Sequence, residues 1–179
     1  MKPSTFLIAF LCCLGCLRGA AAQAPDLESR LETIIGYTRI SDDLASSGQI
    51  AYDQIPLLKE AGFDVVVNLA PAADSRNGLE GFLVTELGLS YVQIPVSWEA
   101  PSQRDLQFFF DVMKANSDRK VFVHCFANMR ASAFVYLYRT LHDGISEEQA
   151  RKDLARIWDP TELKQWAAFI ETAQHEHGE

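Results

Sequence analysis

The stretch Val121-Phe122-Val123-His124-Cys125-Phe126-Ala127-Asn128-Met129-Arg130-Ala131-Ser132 constrains this chain more than any other segment. A β-branched and aromatic run ends in His-Cys, four residues follow, and Arg130 and Ser132 then open a long apolar stretch with helical character. A strand that turns into a helix through a short loop leaves backbone N–H groups free at the helix start. The helix dipole adds a positive end at the same place, so the unit is an anion-binding cradle. The rest of the chain repeats the alternation of strand and helix. Leu27, Leu31, Ile34 and Ile35 are spaced for a short amphipathic helix, and residues 37–40 suit a short strand. Ser46-Ser47-Gly48-Gln49 is turn chemistry, and a helix over 50–61 closes at Gly62. Residues 63–69 form a short, buried, β-branched strand, followed by a breaker-rich loop over 71–78 and a helix over 79–87 that ends at Gly88. A strand over 89–96 has Pro95 at its edge. Ser102 caps a helix over 103–115 with Leu106, Phe109, Phe110 and Met113 inward. Beyond the helix that ends at Leu141, Ser146 caps a helix over 147–157, and Asp159-Pro160 starts a last one through Ala173. The pattern predicts an α/β domain: a central, mostly parallel sheet of four to five strands with helices on both faces. Ligands in such sheets bind at the carboxyl ends of strands, where Cys125 falls.

Residues 1–22 read differently. Lys2 precedes a short apolar run over 6–17, and Ala20-Ala21-Ala22-Gln23 offers small residues for cleavage, which is the pattern of a secretory signal peptide. The run is too short for the roughly 20 apolar residues of a membrane span, so no stable membrane insertion is expected after cleavage. The expectation is an exported protein, periplasmic or secreted, with residues 23–179 as one domain. Of the 4 cysteines, Cys12, Cys13 and Cys16 fall in the leader and only Cys125 remains. Exported proteins use cysteines in pairs, and a solitary thiol in an oxidising compartment is a liability unless it is inert and buried or does chemistry. The formal net charge of −8 deepens by two when Lys2 and Arg18 leave with the leader. An acidic surface argues against nucleic acid or anionic membrane as a partner, so an anionic substrate must be captured locally at the loop. No spacing of Cys or His suggests a metal site, and His142, His175 and His177 read as surface residues. Oligomeric state is not legible.

At the loop, the residue types suit attack on phosphorus. A thiolate is the nucleophilic form of Cys125, and a nest of N–H groups favours that form. The planar fork of Arg130 can clamp two oxyanion oxygens. His124 supports the loop rather than serving as a base. Asp42 and Asp43 look like solvated turn residues, and Asp64 and Asn68 like structural ones.

His124-Cys125, the loop, Arg130 and Ser132 resemble the phosphate-binding signature of the cysteine-dependent protein tyrosine and dual-specificity phosphatases. The resemblance runs over residues 37–141. Gly62-Phe63-Asp64-Val65-Val66-Val67-Asn68-Leu69 and Tyr91-Val92-Gln93-Ile94-Pro95-Val96 are similar to two of the family's strands, and Ser47-Gly48-Gln49 is similar to a bacterial subgroup of small phosphatase-like domains. It implies phosphoester hydrolysis through a phosphocysteine on Cys125, with a phosphorylated protein or small phosphoester as substrate and no cofactor or metal. Phe126, Ala127, Asn128, Met129, Arg130 and Ser132 would bind the phosphate, and Ser132 would assist the departing sulfur. The chain departs from the family in two places. Four residues, not five, separate Cys125 from Arg130, and the loop has no glycine, although Asn128 tolerates a left-handed backbone. The family's general-acid Asp is missing from the loop after the Pro95 strand. Glu99, beside Trp98, is the candidate acid, and Asp105 is the nearest Asp. Two other readings stay open: a rhodanese-type sulfurtransferase, which also places four residues between Cys and Arg, and a non-catalytic phosphate-binding module.

Overall fold

The computed structural model describes residues 26–177. The expected signal peptide, residues 1–22, lies outside the described residues. Five strands form one sheet in the order β1-β2-β5-β3-β4. They are β1 (Thr38–Arg39), β2 (Leu44–Ser47), β3 (Val65–Asn68), β4 (Ser90–Gln93) and β5 (Val121–His124). Only the short β1 runs antiparallel to its neighbour; β2, β5, β3 and β4 are parallel. Strand β5 lies in the middle, with Val121 opposite both Leu44 and Val65 and His124 opposite both Ser47 and Asn68. A central strand is buried on both faces, which is why β3 and β5 read as continuous apolar runs rather than alternating ones.

Alternate residues of the two central strands serve two cores, as the period of two demands. Val65, Val67, Val121, Val123 and Cys125 face one, packed against α4 (Gln103–Ala115), α5 (Met129–Leu141), α6 (Glu147–Ala155) and α7 (Lys164–His177). Val66 and Phe122 face the other, against α1 (Leu27–Leu31), α2 (Ile55–Glu60) and α3 (Glu80–Glu86). Helices therefore cover both faces of a mostly parallel sheet, as expected. Ser102 caps α4 through a hydrogen bond from the Asp105 amide at 3.1 Å, and Ser146 caps α6 from the Gln149 amide at 3.3 Å. No helix among the described residues is long and apolar enough to cross a membrane.

Four local expectations are corrected. Ser46 and Ser47 are not turn residues but the end of β2, buried beside β5. Their polarity hid the strand, yet small side chains fit where β2 lies close under the site. Helix α1 stops at Leu31, so Ile34 is buried while Ile35 is 62% exposed. The expected helix over 50–61 begins as a 3-10 turn (Tyr52–Gln54) and becomes α-helical only where Pro56 fits the first turn of α2. The last helix starts later than Pro160: Asp159 caps a 3-10 turn (Pro160–Glu162), and α7 follows from Lys164.

The end of β2 is tied to the Cys125 loop at Gly48. Its amide donates to Ile35 O at 2.6 Å, the next amide, Gln49, donates to Phe126 O at 3.2 Å, and Gly48 bridges Ala127. A Cβ on Gly48 would lie 2.9 Å from Ile35 O and 3.1 Å from Phe126 O, both backbone atoms that cannot swing aside. Gly48→Ala is expected to lower unfolding free energy by about 2 kcal/mol, measured by denaturant titration.

Candidate active site

Strand β5 delivers Cys125 to the carboxyl end of the sheet. The residue is a free thiol, 1% exposed, and its amide donates to Ser47 O at 3.2 Å across the strand pair. The chain then has four residues in which to reverse into α5. Asn128 makes this possible. It has φ 62 and ψ 0, the left-handed region, and it is the N-cap of α5. It is also fully buried, with Nδ2 donating to Gly36 O at 2.7 Å and to Ser46 Oγ at 3.1 Å. A left-handed residue followed by right-handed helical residues is the backbone pattern of an anion nest. Among the described residues, no protein acceptor lies within hydrogen-bond reach of the amides of Phe126, Ala127, Met129, Arg130 or Ala131. The first satisfied amide of the helix is Ser132, which donates to Asn128 O at 2.9 Å.

Arg130 stands in the first turn of α5, 9% exposed. Its guanidinium carbon lies 5.4 Å from the Trp98 ring and 5.8 Å from the Phe126 ring, and its Nε is buried without a partner. Arg139, two turns along the same helix and equally buried, pairs with Asp153 at 2.7 Å. Burying a guanidinium without a carboxylate is costly, and the aromatic faces offset only part of the cost. An anion brought to Arg130 would offset that cost, and the free amides lie in the same loop.

Beneath the loop lies a polar layer that the sequence did not reveal. His124 Nε2 is 2.7 Å from Glu80 Oε1, both side chains fully buried. The same Oε1 accepts from Asn68 Nδ2 and from the Tyr91 hydroxyl, each at 3.1 Å, and Oε2 accepts from Gln49 Nε2 at 2.6 Å. Burial, and then the Glu80 charge beside it, push the Tyr91 hydroxyl well above the usual tyrosine range, so it remains a donor. Glu80 opens α3, at a position that no sequence motif singled out. Asn68, expected to be structural, is part of this layer.

The other named residues divide. Phe126 carries Arg130 on its ring, and its carbonyl accepts from Gln49. Ser132 donates its hydroxyl to Met129 O at 3.2 Å and accepts from Trp158 Nε1 at 3.2 Å, an arrangement that holds the start of α5 together. Trp98 joins Trp158 and Trp166, with ring centroids 5.1 to 5.7 Å apart, and its carbonyl accepts from Trp166 Nε1. Glu99 follows on the exposed side, 3.4 Å from Ser97 Oγ. Asp105 belongs to the first turn of α4. Arg76, on the loop after β3, lies 4.7 Å over the Phe126 ring, a neighbour that no local pattern announced. The largest hollow described, about 500 Å³ between Gln93, Pro95, Arg104 and Phe108, lies beside the edge strand and not at Cys125. An oxyanion is held by directed N–H groups rather than by an apolar cavity, so the two need not coincide. Among the described residues no group of three His, Cys, Asp or Glu side chains is placed to hold a metal ion.

A family model described as a dual-specificity protein tyrosine phosphatase (DSP-PTPase) fused to NAD+ kinase matches residues 39–171. Among solved structures, a Shewanella putrefaciens CN-32 protein described as a candidate phosphatase (DUF442) is 35% identical. That comparison covers 84% of this chain and 99% of the other, with a TM-score of 0.75. Tk-PTP in its active form is 18% identical over 78% of this chain and 97% of its own, with a TM-score of 0.66. P. aeruginosa TpbA is 18% identical over 84% and 88%, with a TM-score of 0.62, and has also been solved with phosphotyrosine. No curated protein matches the chain.

Removing Glu80 would leave the buried His124 Nε2 and the Tyr91 hydroxyl without their acceptor, while Asn68 Nδ2 keeps the Tyr91 oxygen and Gln49 Nε2 keeps Ile50 O. Glu80→Ala is expected to cost about 3 kcal/mol or more, and Glu80→Gln, which keeps one acceptor, about 1 kcal/mol. Urea unfolding of the two variants beside the parent measures both.

Proposed function

The chain belongs to the dual-specificity and protein tyrosine phosphatase family, in the branch described as fused to NAD+ kinase, and on that footing we propose that it hydrolyses phosphomonoesters through a phosphocysteine on Cys125. Membership makes it a phosphatase; the roles of its residues are our reading of the site. The thiolate of Cys125 attacks phosphorus, and the bond from phosphorus to the leaving oxygen breaks. The free amides of the loop and the Arg130 fork bind the non-bridging oxygens as charge moves onto them. Glu99 gives its proton to the leaving oxygen. Water then attacks the phosphocysteine, Glu99 takes the water's proton, and the phosphorus–sulfur bond breaks to release inorganic phosphate and the thiolate. His124, held by Glu80, positions Cys125 from below. Ser132 acts by fixing the turn of α5 through Met129 O and Trp158.

The observation that carries this reading is Arg130: among the described residues it is a buried guanidinium with no carboxylate, five positions after the free thiol of Cys125 and in the same loop as a run of unpaired amides. A four-residue spacing between Cys and Arg also suits a sulfurtransferase, but the family match and the His124-Cys125 pair favour phosphoryl chemistry. We place the protein outside the cytoplasm, processed after Ala22. The mature N-terminus is then expected to be Gln23, as read by mass spectrometry of the exported protein.

The mature domain is expected to hydrolyse p-nitrophenyl phosphate in the presence of a chelator and to be blocked by vanadate. Cys125→Ser is expected to abolish turnover, and Arg130→Ala to lower kcat/KM by about a hundredfold or more. Glu99→Gln should slow phenyl phosphate, a poor leaving group, far more than p-nitrophenyl phosphate. Equal slowing of both, relative to the parent, would exclude Glu99 as the acid. Formation of thiocyanate from thiosulfate and cyanide, without phosphate release, would move the protein to the sulfurtransferases.

A further inference from the structure

A second guanidinium shares the Phe126 ring with the first. Arg76 Cζ lies 4.7 Å from the centre of the Phe126 ring and Arg130 Cζ lies 5.8 Å from the same centre. The two charges are therefore at most about 10.5 Å apart, the two ring distances laid end to end. The chain is acidic, with 24 Asp and Glu against 16 Lys and Arg, and carboxylates are easily found. Arg30, Arg39, Arg139, Arg151 and Arg156 all have one. Arg76 is exposed and has neither an ion pair nor a hydrogen bond among the described residues.

The loop that displays Arg76 is not loose. Asn77, nearly fully buried, accepts from the Ala73 amide at 2.7 Å and donates to Pro71 O at 3.1 Å. The amides of Arg76 and Asn77 both donate to Ala73 O at 2.9 Å, and Asn77 O accepts from Glu80. Gly78 packs against Asp74, where a Cβ would meet Asp74 O at 3.0 Å. The loop starts at the carboxyl end of β3, next to β5, and ends at Glu80, which holds His124 from below. Phe126 is equally fixed, through its carbonyl and the Gly48–Ala127 bridge. A charge held over a ring on pinned backbone loses less freedom on meeting a ligand than a free surface arginine does.

We propose that Arg76 is a specificity residue: it forms a second anion position beside the cradle, and the preferred substrate carries a second phosphate close to the one that is cleaved. This rests on the phosphatase reading above and adds the substrate class to it. One phosphate is held by the loop amides and Arg130, while the other meets Arg76 at the mouth. Because Arg76 touches only the group that does not react, it contributes binding shared by ground and transition states, and its loss should appear in KM.

The test compares phenyl phosphate with benzene-1,4-diyl bis(phosphate) on the parent protein and on Arg76→Ala, Arg76→Lys and Arg104→Ala. The parent is expected to prefer the bisphosphate by about tenfold in kcat/KM beyond the factor of two for its two equivalent esters. Arg76→Ala should reduce that preference to about twofold or less through KM, with phenyl phosphate almost unchanged. Arg76→Lys should retain part of it, and Arg104→Ala, an exposed arginine away from Phe126, all of it. Raising the salt should erode the preference in the parent and not in Arg76→Ala. If the parent cleaves phenyl phosphate without favouring the bisphosphate, or if Arg76→Ala keeps the preference, this inference falls while the phosphatase reading stands. If the parent cleaves neither ester, the phosphatase reading falls and takes this one with it.

Discussion

The turn from β5 into α5 requires one residue to adopt a left-handed backbone in a place from which water is excluded. Asn128 meets both demands: its short amide side chain tolerates the conformation, and its Nδ2 joins Gly36 O and Ser46 Oγ. Glycine would supply the conformation but not the tie to β2 and the segment before β1. Because Asn128 does both, the loop spans from Cys125 to Arg130 in four residues, and the helix can begin at Met129 with its first amides free. The position of the thiol, the direction of the dipole and the placement of Arg130 all follow from that single backbone turn.

Two buried charges on either side of the loop are treated in opposite ways. Below it, Glu80 is saturated by His124, Asn68, Tyr91 and Gln49, so its carboxylate is a fixed part of the scaffold. Above it, Arg130 is packed by Trp98 and Phe126 but offered no counter-charge. A satisfied network rigidifies; an unsatisfied charge favours a ligand that completes it. The paired charge thus belongs to the buried layer, and the unpaired one stands where we propose that phosphate binds. The alternation of buried valines on β3 and β5 keeps these two layers on their own sides of the sheet.

The fold was largely legible because its central elements are written in local patterns: the valine runs of β3 and β5, the Ser102 and Ser146 caps, and the glycines that end α2 and α3. Strand β2 was not legible, since Ser46 and Ser47 carry no strand signal and are held there by pairing with β5 and, at Ser46, with β1. At the site, Cys125, Asn128 and Arg130 were found because they share one short stretch. Glu80 and Arg76 were missed because they reach the loop from 44 and 50 residues away, and nothing in their neighbours marks one as buried or the other as stacked on Phe126. A buried carboxylate early in a helix looks like any favourable first-turn acid. The sequence signal that could have exposed it was the pair of polar residues Asn68 and His124 at the carboxyl ends of two adjacent apolar strands, with Tyr91 on the neighbouring β4, which need a common acceptor.

The three tryptophans have a consequence for how such a protein would work. Trp98 is locked between Trp158 and Trp166, its carbonyl is held by an indole N–H, and its ring shields Arg130. The segment that carries Glu99 is therefore anchored at Trp98 to α7. An acid carried on an anchored segment would need no closure step, and bond making at sulfur rather than a moving gate would then set the tempo.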